Sequence, residues 1–283
     1  MSIKVENLSY TYMPGSPFEK LALKNINLTI VNKEFVGIIG HTGSGKSTLI
    51  QHFNGLLKPS TGKVHINGID VSGKGLKELR RQVGLVFQYP EHQLFEETVF
   101  KDIAFGLQRL GLDDGEIDER VKQAIASVGL KTDILSKSPF ELSGGQKRRV
   151  AIAGVLAMKP EILILDEPTA GLDPRGKNEI FNFISDLHKK LGITVILISH
   201  SMEDIARLAQ RVIVMNKGEI AMDGSPTEIF NDADRLDSMG LSAPQITFLM
   251  KKLKKVIPEI NDSIFTIHEA KRELSKYLKV FRG

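Results

Sequence analysis

Residues 40–48 read GHTGSGKST, and this glycine-rich stretch decides the fold. It fits the phosphate-binding pattern G-x-x-x-x-G-K-[ST], with fixed positions at Gly40, Gly45, Lys46 and Ser47. The preceding run FVGIIG is short and apolar, which is typical of a buried strand, and the following run STLIQHFNG is typical of a helix. A strand, a glycine loop and a helix in this order predict a phosphate-binding site.

The chemistry of this loop predicts how an anion is held. Glycines let the backbone turn so that several N–H groups point at one anion, and the helix start adds about 0.3–1 kcal/mol for a nearby negative charge. We expect Lys46 to reach the β- and γ-phosphates of a nucleotide and Ser47 to hold Mg²⁺. The other loop residues expected around the phosphates are His41, Thr42, Gly43, Ser44 and Thr48. A chance match is the alternative, and the strand–helix context argues against it.

The composition indicates a globular protein with a sizeable core. The chain has 283 residues, of which 41% are hydrophobic and 25% are charged, so it holds one large domain or two small ones. The net charge of +4 is mild and does not mark a nucleic-acid binder. The chain has no cysteine, which excludes disulfides and thiolate metal sites and fits the cytosol.

The sequence shows neither a signal segment nor a membrane span. The start MSIKVENLSY lacks a basic region followed by an apolar one. No apolar run approaches the roughly 20 residues that cross a bilayer. We therefore expect any membrane role to require a separate partner.

Patterning along the chain predicts an α/β fold with additions. The alternating stretches IKVENLSYTY and LALKNINLTI predict an antiparallel β subdomain. Residues from about 90 to 159 have helical spacing and predict an inserted helical subdomain. Strands and helices then alternate, which predicts a mainly parallel, doubly wound sheet. We place the domain boundary at residue 240, with a helical tail over residues 241–283.

The tail sequence PQITFLMKKLKKV predicts an amphipathic helix. Its apolar face is expected to consist of Ile246, Leu249, Met250, Leu253 and Val256, with lysines opposite. Such a face binds a partner protein, folds back on the core or lies on lipid.

Two acidic residues end the apolar run ILIL. Asp166 and Glu167 lie where a strand beside the phosphate loop is expected to stop. Carboxylate oxygens suit Mg²⁺, so we assign Asp166 to the metal and expect Glu167 to polarise an attacking water. The alternative is a pair of strand-end acids that face solvent.

Two further strands are predicted to end at Gln88 and His200. Taken singly, such a glutamine is more commonly an ordinary loop residue, and such a histidine is more commonly a buried structural residue. Ligands of open α/β sheets bind at the carboxyl ends of the strands, however, and Glu167 ends a third strand there. We therefore expect Gln88 to contact Mg²⁺ and water, and His200 to contact the γ-phosphate.

The string LSGGQ at residues 142–146 predicts a second anion site. Ser143 would cap the following helix, and Gly144 and Gly145 would expose backbone N–H groups at its positive end, next to Gln146. One chain does not obviously need two such sites. The alternative is an ordinary helix that begins with glycines.

These motifs together resemble those of the ATP-binding cassette (ABC) ATPases. The resemblance rests on GHTGSGKST, Gln88, LSGGQ, ILILDE, the AGLD stretch ending at Asp173, and His200, in the family's order, and covers about residues 3–240. It implies a P-loop NTPase (RecA-like) core that hydrolyses ATP with Mg²⁺. In that family two cassettes pair head to tail, and LSGGQ of one closes over the nucleotide held by the other. The resemblance also implies that Asp173 links the two sites and that Tyr12 stacks on adenine.

A narrower resemblance is to the ATPase subunits of energy-coupling factor (ECF) vitamin importers. The stretch YPEHQLFEETVFKDIAFG is similar to the second of their two paired ATPases. The implied partners are a second ABC ATPase, identical or sister, an integral membrane coupling subunit and a substrate-binding membrane subunit, with no nucleic acid. The implied location is peripheral, on the cytoplasmic side of the cell membrane. The helical subdomain and Gln88 would receive the coupling subunit, and the tail would contact the partner ATPase.

Other functions are weighed against this one. ATPases of cobalt- and nickel-importing relatives look alike in the same stretch. A soluble ABC protein of DNA repair would carry a long coiled-coil insertion before LSGGQ, and translation members usually hold two cassettes; neither feature is found. A nucleotide-gated binding module without turnover is disfavoured by the presence of Glu167 and His200. The transported solute is not encoded here, because a separate subunit would bind it.

Overall fold

The computed structural model describes residues 2–278 of the chain. Its strands, in chain order, are β1 (Ile3–Tyr12), β2 (Lys20–Ile30), β3 (Phe35–Ile39), β4 (Thr61–Ile66), β5 (Ile69–Asp70), β6 (Val83–Val86), β7 (Ile162–Asp166), β8 (Thr194–Ile198), β9 (Arg211–Asn216) and β10 (Glu219–Gly224). Its α-helices are α1 (Lys46–Phe53), α2 (Leu76–Gln82), α3 (Val99–Leu110), α4 (Asp114–Ser127), α5 (Gly144–Ala157), α6 (Pro174–Leu191), α7 (Met202–Leu208), α8 (Pro226–Asn231), α9 (Ala233–Ser238), α10 (Gln245–Lys254) and α11 (Ile267–Leu278).

The central sheet has the strand order β10-β9-β3-β8-β7-β6. All its neighbouring strands are parallel except the hairpin of β9 and β10. Every residue of β3, β7 and β8 is buried, because helices cover one face of the sheet, and α1 with the strands β1, β2 and β4 covers the other. This arrangement confirms the predicted α/β P-loop NTPase core and brings the carboxyl ends of β3, β6, β7 and β8 to one edge.

The antiparallel β subdomain is a second sheet with the order β2-β1-β4-β5. In β1 and β2, Tyr12 lies opposite Lys20 near the end of the pair. The apolar faces of this sheet share one buried cluster with β3 and α1, through side chains that include Ile26 and Phe53. This shared core fixes the end of β1 beside the glycine loop.

The segment from about 90 to 159 is helical, as its spacing indicated. Helix α3 begins at a cap in which Thr98 accepts a hydrogen bond from the backbone of Lys101, and it ends before Gly111, whose φ is +79°. The buried faces of α3, α4 and α5 belong to the same large cluster as the central sheet. The numerical bounds of this subdomain stay a prediction.

The tail forms a small core that buries only part of the predicted apolar face, and α10 ends at Lys254, before Val256. Met250 is fully buried, whereas Leu249 is 46% exposed and Val256 is 78% exposed. The segment that follows α10 packs Ile260 and Ile264 against Met250. This packing buries the side of α10 that carries Met250 and leaves Leu249 exposed, and Val256 lies in the turn after the helix.

The tail also contacts the preceding domain. The ring of Phe265 lies 5.8 Å from that of Phe230, and the backbone N–H of Gln245 donates to Glu203 at 3.1 Å. Part of the tail therefore folds back on the core, which was one of the three alternatives. Residues 279–283 of the predicted tail lie outside the described residues. Within residues 2–278, no helix is long and apolar enough to cross a membrane.

Candidate nucleotide site

The glycine loop joins β3 to α1 in a conformation that needs its glycines. Gly45 has a φ of +104°, and a Cβ at this position would lie 2.9 Å from the carbonyl oxygen of Ala22. Gly40 is tighter still, since its Cβ would lie 2.3 Å from the carbonyl oxygen of Met215. Both positions therefore exclude side chains, and the loop keeps its backbone close to β2 and β9.

The ammonium of Lys46 is fixed inside the loop. Its Nζ donates hydrogen bonds to the carbonyl oxygens of Gly40 at 2.7 Å and His41 at 2.9 Å. Burial lowers the pKa of Lys46, and the charges of Glu167 and Asp166 oppose that shift. The ammonium group is thus held near two carboxyl groups, in a position where its charge would stabilise a bound anion.

Ser47 and Asp166 form the predicted metal-binding pair. The Ser47 hydroxyl donates to Asp166 Oδ2 at 3.0 Å. Burial raises the pKa of the Asp166 carboxyl, as does the charge of Glu167, whereas the hydrogen bond from Ser47 lowers it. A hydroxyl and a carboxylate supply the hard oxygen ligands that Mg²⁺ takes, and a cation would favour the charged form of Asp166. The donor set therefore fits Mg²⁺.

Glu167 follows β7 in a strained backbone conformation. Its φ is +49°, which non-glycine residues adopt only when the surrounding structure holds them there. Gln88 Nε2 donates to its Oε2 at 3.0 Å, and His200 Nε2 lies 2.5 Å from its Oε1. The predicted strand-end residues are therefore in direct contact, and Glu167 lies between the other two.

One cavity of about 370 Å³ brings the predicted groups together. The residues that line it are Tyr12, Lys20, Ala22, Thr42, Gly43, Gly45, Lys46, Ser47, Thr48, Gln88, Glu167 and His200. Lys20 and Ala22 were not predicted. They reach the site because β2 pairs with β1, and in the sequence only the alternation of two neighbouring strands could have indicated them.

Tyr12 closes the far side of this cavity. Its hydroxyl lies 3.2 Å from Thr48 Oγ1, so its ring is tied to α1. The ring belongs to a part-buried side chain that also lines the cavity. This placement agrees with the expected stacking role, which stays a prediction.

Three predicted loop residues, Gly40, His41 and Ser44, do not line this cavity. His41 turns away towards the start of the tail, where a Cβ on Gly240 would lie 2.6 Å from His41 Nε2. Ser44 Oγ is buried without a hydrogen-bond partner among residues 2–278. The loop thus contacts the tail on the side opposite Lys46.

The LSGGQ string at residues 142–146, called the signature turn below, and Asp173 lie outside this cavity. Ser143 caps α5 as expected: its hydroxyl accepts from Gln146 N at 3.3 Å, and its own N–H donates to Gln146 Oε1 at 3.0 Å. Asp173 caps α6 by accepting from Gly176 N at 2.8 Å. None of Ser143, Gly144, Gly145, Gln146 and Asp173 lines the cavity. The chain holds two separate parts of the predicted site.

Arg148 connects these two parts and was missed in the sequence. It lies in α5, is 1% exposed, and donates to Glu91 at 2.5 and 2.9 Å. It also donates to the carbonyl oxygens of Pro168 at 3.1 Å and Ala170 at 2.8 Å, just after Glu167. Within the string QKRRV it looks like a solvent-exposed charge, so no local signal indicated its burial.

The fold and the cavity define a P-loop nucleotide-binding ATPase, and comparison with known proteins narrows this class. The chain matches the family model described as ABC transporter over residues 23–170. It is 64% identical over 279 residues to the energy-coupling factor transporter ATP-binding protein EcfA2 of Acetivibrio thermocellus, covering 99% of each chain. It is 61% identical to the protein of the same name from Caldanaerobacter subterraneus subsp. tengcongensis, covering 99% of this chain and 98% of that one.

Solved structures support the same conclusion. One similar structure is cbiO1 of Clostridium perfringens, described as part of the ABC transporter complex cbiONQ, with 43% identity, a TM-score of 0.74, and coverage of 88% of this chain and 98% of that chain. Another is the bacterial ABC transporter cassette MJ0796, solved as a dimer, with 33% identity, a TM-score of 0.71, and coverage of 79% and 98%. The chain belongs to the ABC transporter family, among the ATP-binding proteins of energy-coupling factor transporters. The predicted family and function, an ATP-hydrolysing transporter subunit, are confirmed at this level.

Proposed function

We propose that this chain hydrolyses ATP in a composite site, in which its cavity is completed by the LSGGQ turn of a second cassette. The observation that carries the proposal is the cavity in which Lys46, Gln88, Glu167 and His200 meet while Ser143 lies outside it. The chain therefore holds one half of a site and, on another surface, the other half.

The predicted residues in the cavity, together with Asp166, which contacts Ser47 beside it, have roles that their contacts support. Lys46 and the loop N–H groups bind the phosphates, and Tyr12 stacks on the base. Ser47 and Asp166, with Gln88, would hold Mg²⁺, which neutralises phosphate charge when bound. Phosphoryl transfer leaves the protein mainly positioning and electrostatics to supply.

Glu167 is the group that orients the attacking water. Gln88 Nε2 lies 3.0 Å from one carboxylate oxygen of Glu167, and His200 Nε2 lies 2.5 Å from the other, so the carboxylate is held in one orientation. His200 is about half exposed and reaches the γ-phosphate from the same edge. A positioned carboxylate of this kind contributes about 10²–10⁴-fold to a rate.

The signature turn supports the need for a second cassette. Gly144 and Gly145 have no positive φ, and a Cβ on either would meet nothing within 4 Å. Neither backbone conformation nor packing among residues 2–278 requires glycine there. Their N–H groups lie at the start of α5, whose positive end attracts anions. Binding of a phosphate from the nucleotide of another chain would explain why glycine occupies both positions.

An aromatic surface next to Gln88 supports docking of a membrane subunit. Tyr89 and Phe105 are exposed, Phe95 is 61% exposed, and the rings of Phe95 and Phe105 meet edge to face at 5.1 Å. Exposed aromatic clusters of this size mark interaction sites. Because Gln88 also contacts Glu167, movement of the docked subunit would be coupled to the catalytic carboxylate.

The proposed assembly contains a second ABC ATPase, an integral membrane coupling subunit and a substrate-binding membrane subunit, with no nucleic acid. The chain is then peripheral on the cytoplasmic side of the cell membrane, and vitamins or other micronutrients are the transported class. Phe248 and Leu249 are exposed on α10 and supply apolar surface for the partner ATPase. A system of the cbiO type is the second candidate, because that structure is 43% identical.

Purification of the tagged full-length chain from membranes tests the assembly. We expect an integral membrane protein and a second cassette to be found by mass spectrometry of the intact complex. A chain that always purifies without an integral membrane subunit contradicts the transport proposal. Deletion of residues 241–283 should weaken association with the second cassette; unchanged association removes the tail from that role.

A further inference from the structure

The proposed base-stacking residue Tyr12 belongs to a closed ring of four side chains. The rings of Tyr10 and Tyr12 meet edge to face, with centroids 4.8 Å apart and an angle of 89°. Tyr10 meets His52 in the same way, at 4.9 Å and 79°. His52 Nδ1 lies 2.7 Å from the carbonyl oxygen of Thr48, and Thr48 Oγ1 lies 3.2 Å from the Tyr12 hydroxyl. The set thus ties β1 to α1 through three side-chain contacts and one side-chain contact to the backbone of Thr48.

His52 is a neutral ring with one tautomer. A carbonyl oxygen only accepts, so Nδ1 carries the hydrogen that is donated to Thr48. The side chain is fully buried, and this burial lowers the pKa of His52, against the opposing effect of its hydrogen bond to Thr48. At neutral pH it therefore presents an uncharged aromatic ring to Tyr10. Edge-to-face contact is a preferred geometry for such rings.

Neither Tyr10 nor His52 lines the cavity, whereas Tyr12 and Thr48 do. An unsupported Tyr12 would sample several orientations and would lose that freedom when a base stacks on it, which weakens binding. Tyr10 contacts the ring of Tyr12, and the Thr48 hydroxyl lies within hydrogen-bond distance of the Tyr12 hydroxyl. His52 in turn fixes both Tyr10 and the backbone of Thr48.

We propose that Tyr10 and His52 are positioning residues that set the affinity for the nucleotide base by holding Tyr12 in its stacking orientation. This inference rests on the proposed function, in which Tyr12 stacks on adenine. It predicts that both residues act on nucleotide binding through Tyr12 and leave the phosphate chemistry at Lys46 and Glu167 untouched.

The variants His52→Leu and Tyr10→Leu test this proposal in the intact complex purified from membranes, which supplies the second cassette. Tyr10→Phe keeps the ring and serves as the conservative variant. His188→Leu is a matched control, because His188 also meets an aromatic ring edge to face, that of Phe35, at 5.3 Å and 80°. Its Nδ1 likewise lies 2.9 Å from a backbone carbonyl oxygen, that of Ile193, and it does not line the cavity.

We expect His52→Leu and Tyr10→Leu to raise the KM for ATP about two- to tenfold, the factor that loss of an aromatic pair gives, with kcat unchanged. Tyr10→Phe and His188→Leu should keep the wild-type KM. On a Tyr12→Ala background, His52→Leu should cause no further rise, because the residue through which it acts is already missing.

Two results overturn the proposal: an unchanged KM in both leucine variants, or an equal rise with and without Tyr12. Circular dichroism melting identifies variants that fail to fold. If His52→Leu fails to fold, the KM values of Tyr10→Leu and Tyr10→Phe test the proposal without it. Failure of the proposed function gives a different result, since the wild-type complex of this chain with the second cassette would then hydrolyse no ATP.

Discussion

The nucleotide cavity and the signature turn differ in how closely other residues of the chain contact them. Around Lys46 and Glu167 the polar groups contact one another: the ammonium binds two loop carbonyls, and the carboxylate is held by Gln88 and His200. Around Gly144 and Gly145 there is open space. The cavity glycine Gly45, in contrast, is required by its own fold, because a Cβ there would lie 2.9 Å from a carbonyl oxygen.

This difference shows which part of the proposed site is complete within one chain. The cavity is organised by its own contacts, so its geometry exists before any second cassette arrives. The signature turn has its helix cap, but no contact from residues 2–278 explains its glycines. Arg148 joins the two regions, because it lies in the helix that Ser143 caps and binds carbonyls just after Glu167.

The largest expected effect is that of Arg148→Met, which breaks the connection between the two regions. Loss of one partner of a buried ion pair leaves Glu91 unpaired and costs about 3–5 kcal/mol. Urea denaturation of the full-length chain measures this loss. Arg175→Met is the control, since Arg175 is 89% exposed and its pair with Glu179 should change stability by less than about 0.5 kcal/mol. Equal, small losses in both variants would show that Arg148 is not a structural link.

The next effect concerns the cavity alone. Glu167→Gln should slow hydrolysis at least about a hundredfold, because the group that orients water loses its charge, while ATP still binds. Phosphate release and equilibrium ATP binding measure the two properties separately. Glu119→Gln changes an exposed carboxylate far from the cavity and should match the wild type. Hydrolysis near the wild-type rate in Glu167→Gln would remove this residue from the catalytic role.

A pair of glycine variants sharpens the comparison between the two regions. Gly45→Ala should destabilise the chain by at least about 1–2 kcal/mol, because its φ of +104° and its close neighbour exclude a side chain. Gly144→Ala should leave stability within about 1 kcal/mol of the wild type. It should nevertheless reduce hydrolysis, since the added methyl group lies where the second cassette's nucleotide is proposed to bind. The reverse pattern, with Gly144→Ala destabilised and fully active, contradicts the composite site.

The smallest effect is a pH dependence of the Arg148 link. Burial of Glu91 opposes the shift, but the hydrogen bond and charge of Arg148 lower the pKa of its carboxyl below the usual value. A lowered folded-state pKa contributes stability above the unfolded-state value, near about 4.3, and this stability is lost as the pH falls through the folded-state pKa. Glu91→Gln should therefore lose less stability than the wild type between about pH 5 and pH 3. Parallel melting curves across this range would refute the assignment.

Local sequence was sufficient for much of the site. The glycine loop, the helix cap at Ser143 and the acidic end of β7 depend on residues next to one another in the chain. The meeting of Gln88, Glu167 and His200 was also predictable, because the carboxyl ends of parallel strands share one edge. In each case the required geometry is a property of a short segment or of the sheet type.

Other features depended on contacts that short segments do not contain. The buried side of α10 was decided by Ile260 and Ile264, which pack on Met250 and leave Leu249 exposed. Lys20 entered the cavity through strand pairing, and Arg148 became buried because Glu91 and two distant carbonyls converge on it. Side chains with several allowed environments are placed by the partners that the complete fold supplies.

The sequence by itself therefore determined the phosphate loop, the order of strands and helices and the family, since these rest on local backbone requirements and on residues at fixed spacing. Only the tertiary structure decided which side chains hold that machinery in place. Tyr10 and His52 meet behind Tyr12, and Arg148 reaches from the signature helix to the residues after Glu167. Such contacts join residues far apart in the chain, and burial and hydrogen-bond satisfaction in the folded protein select them.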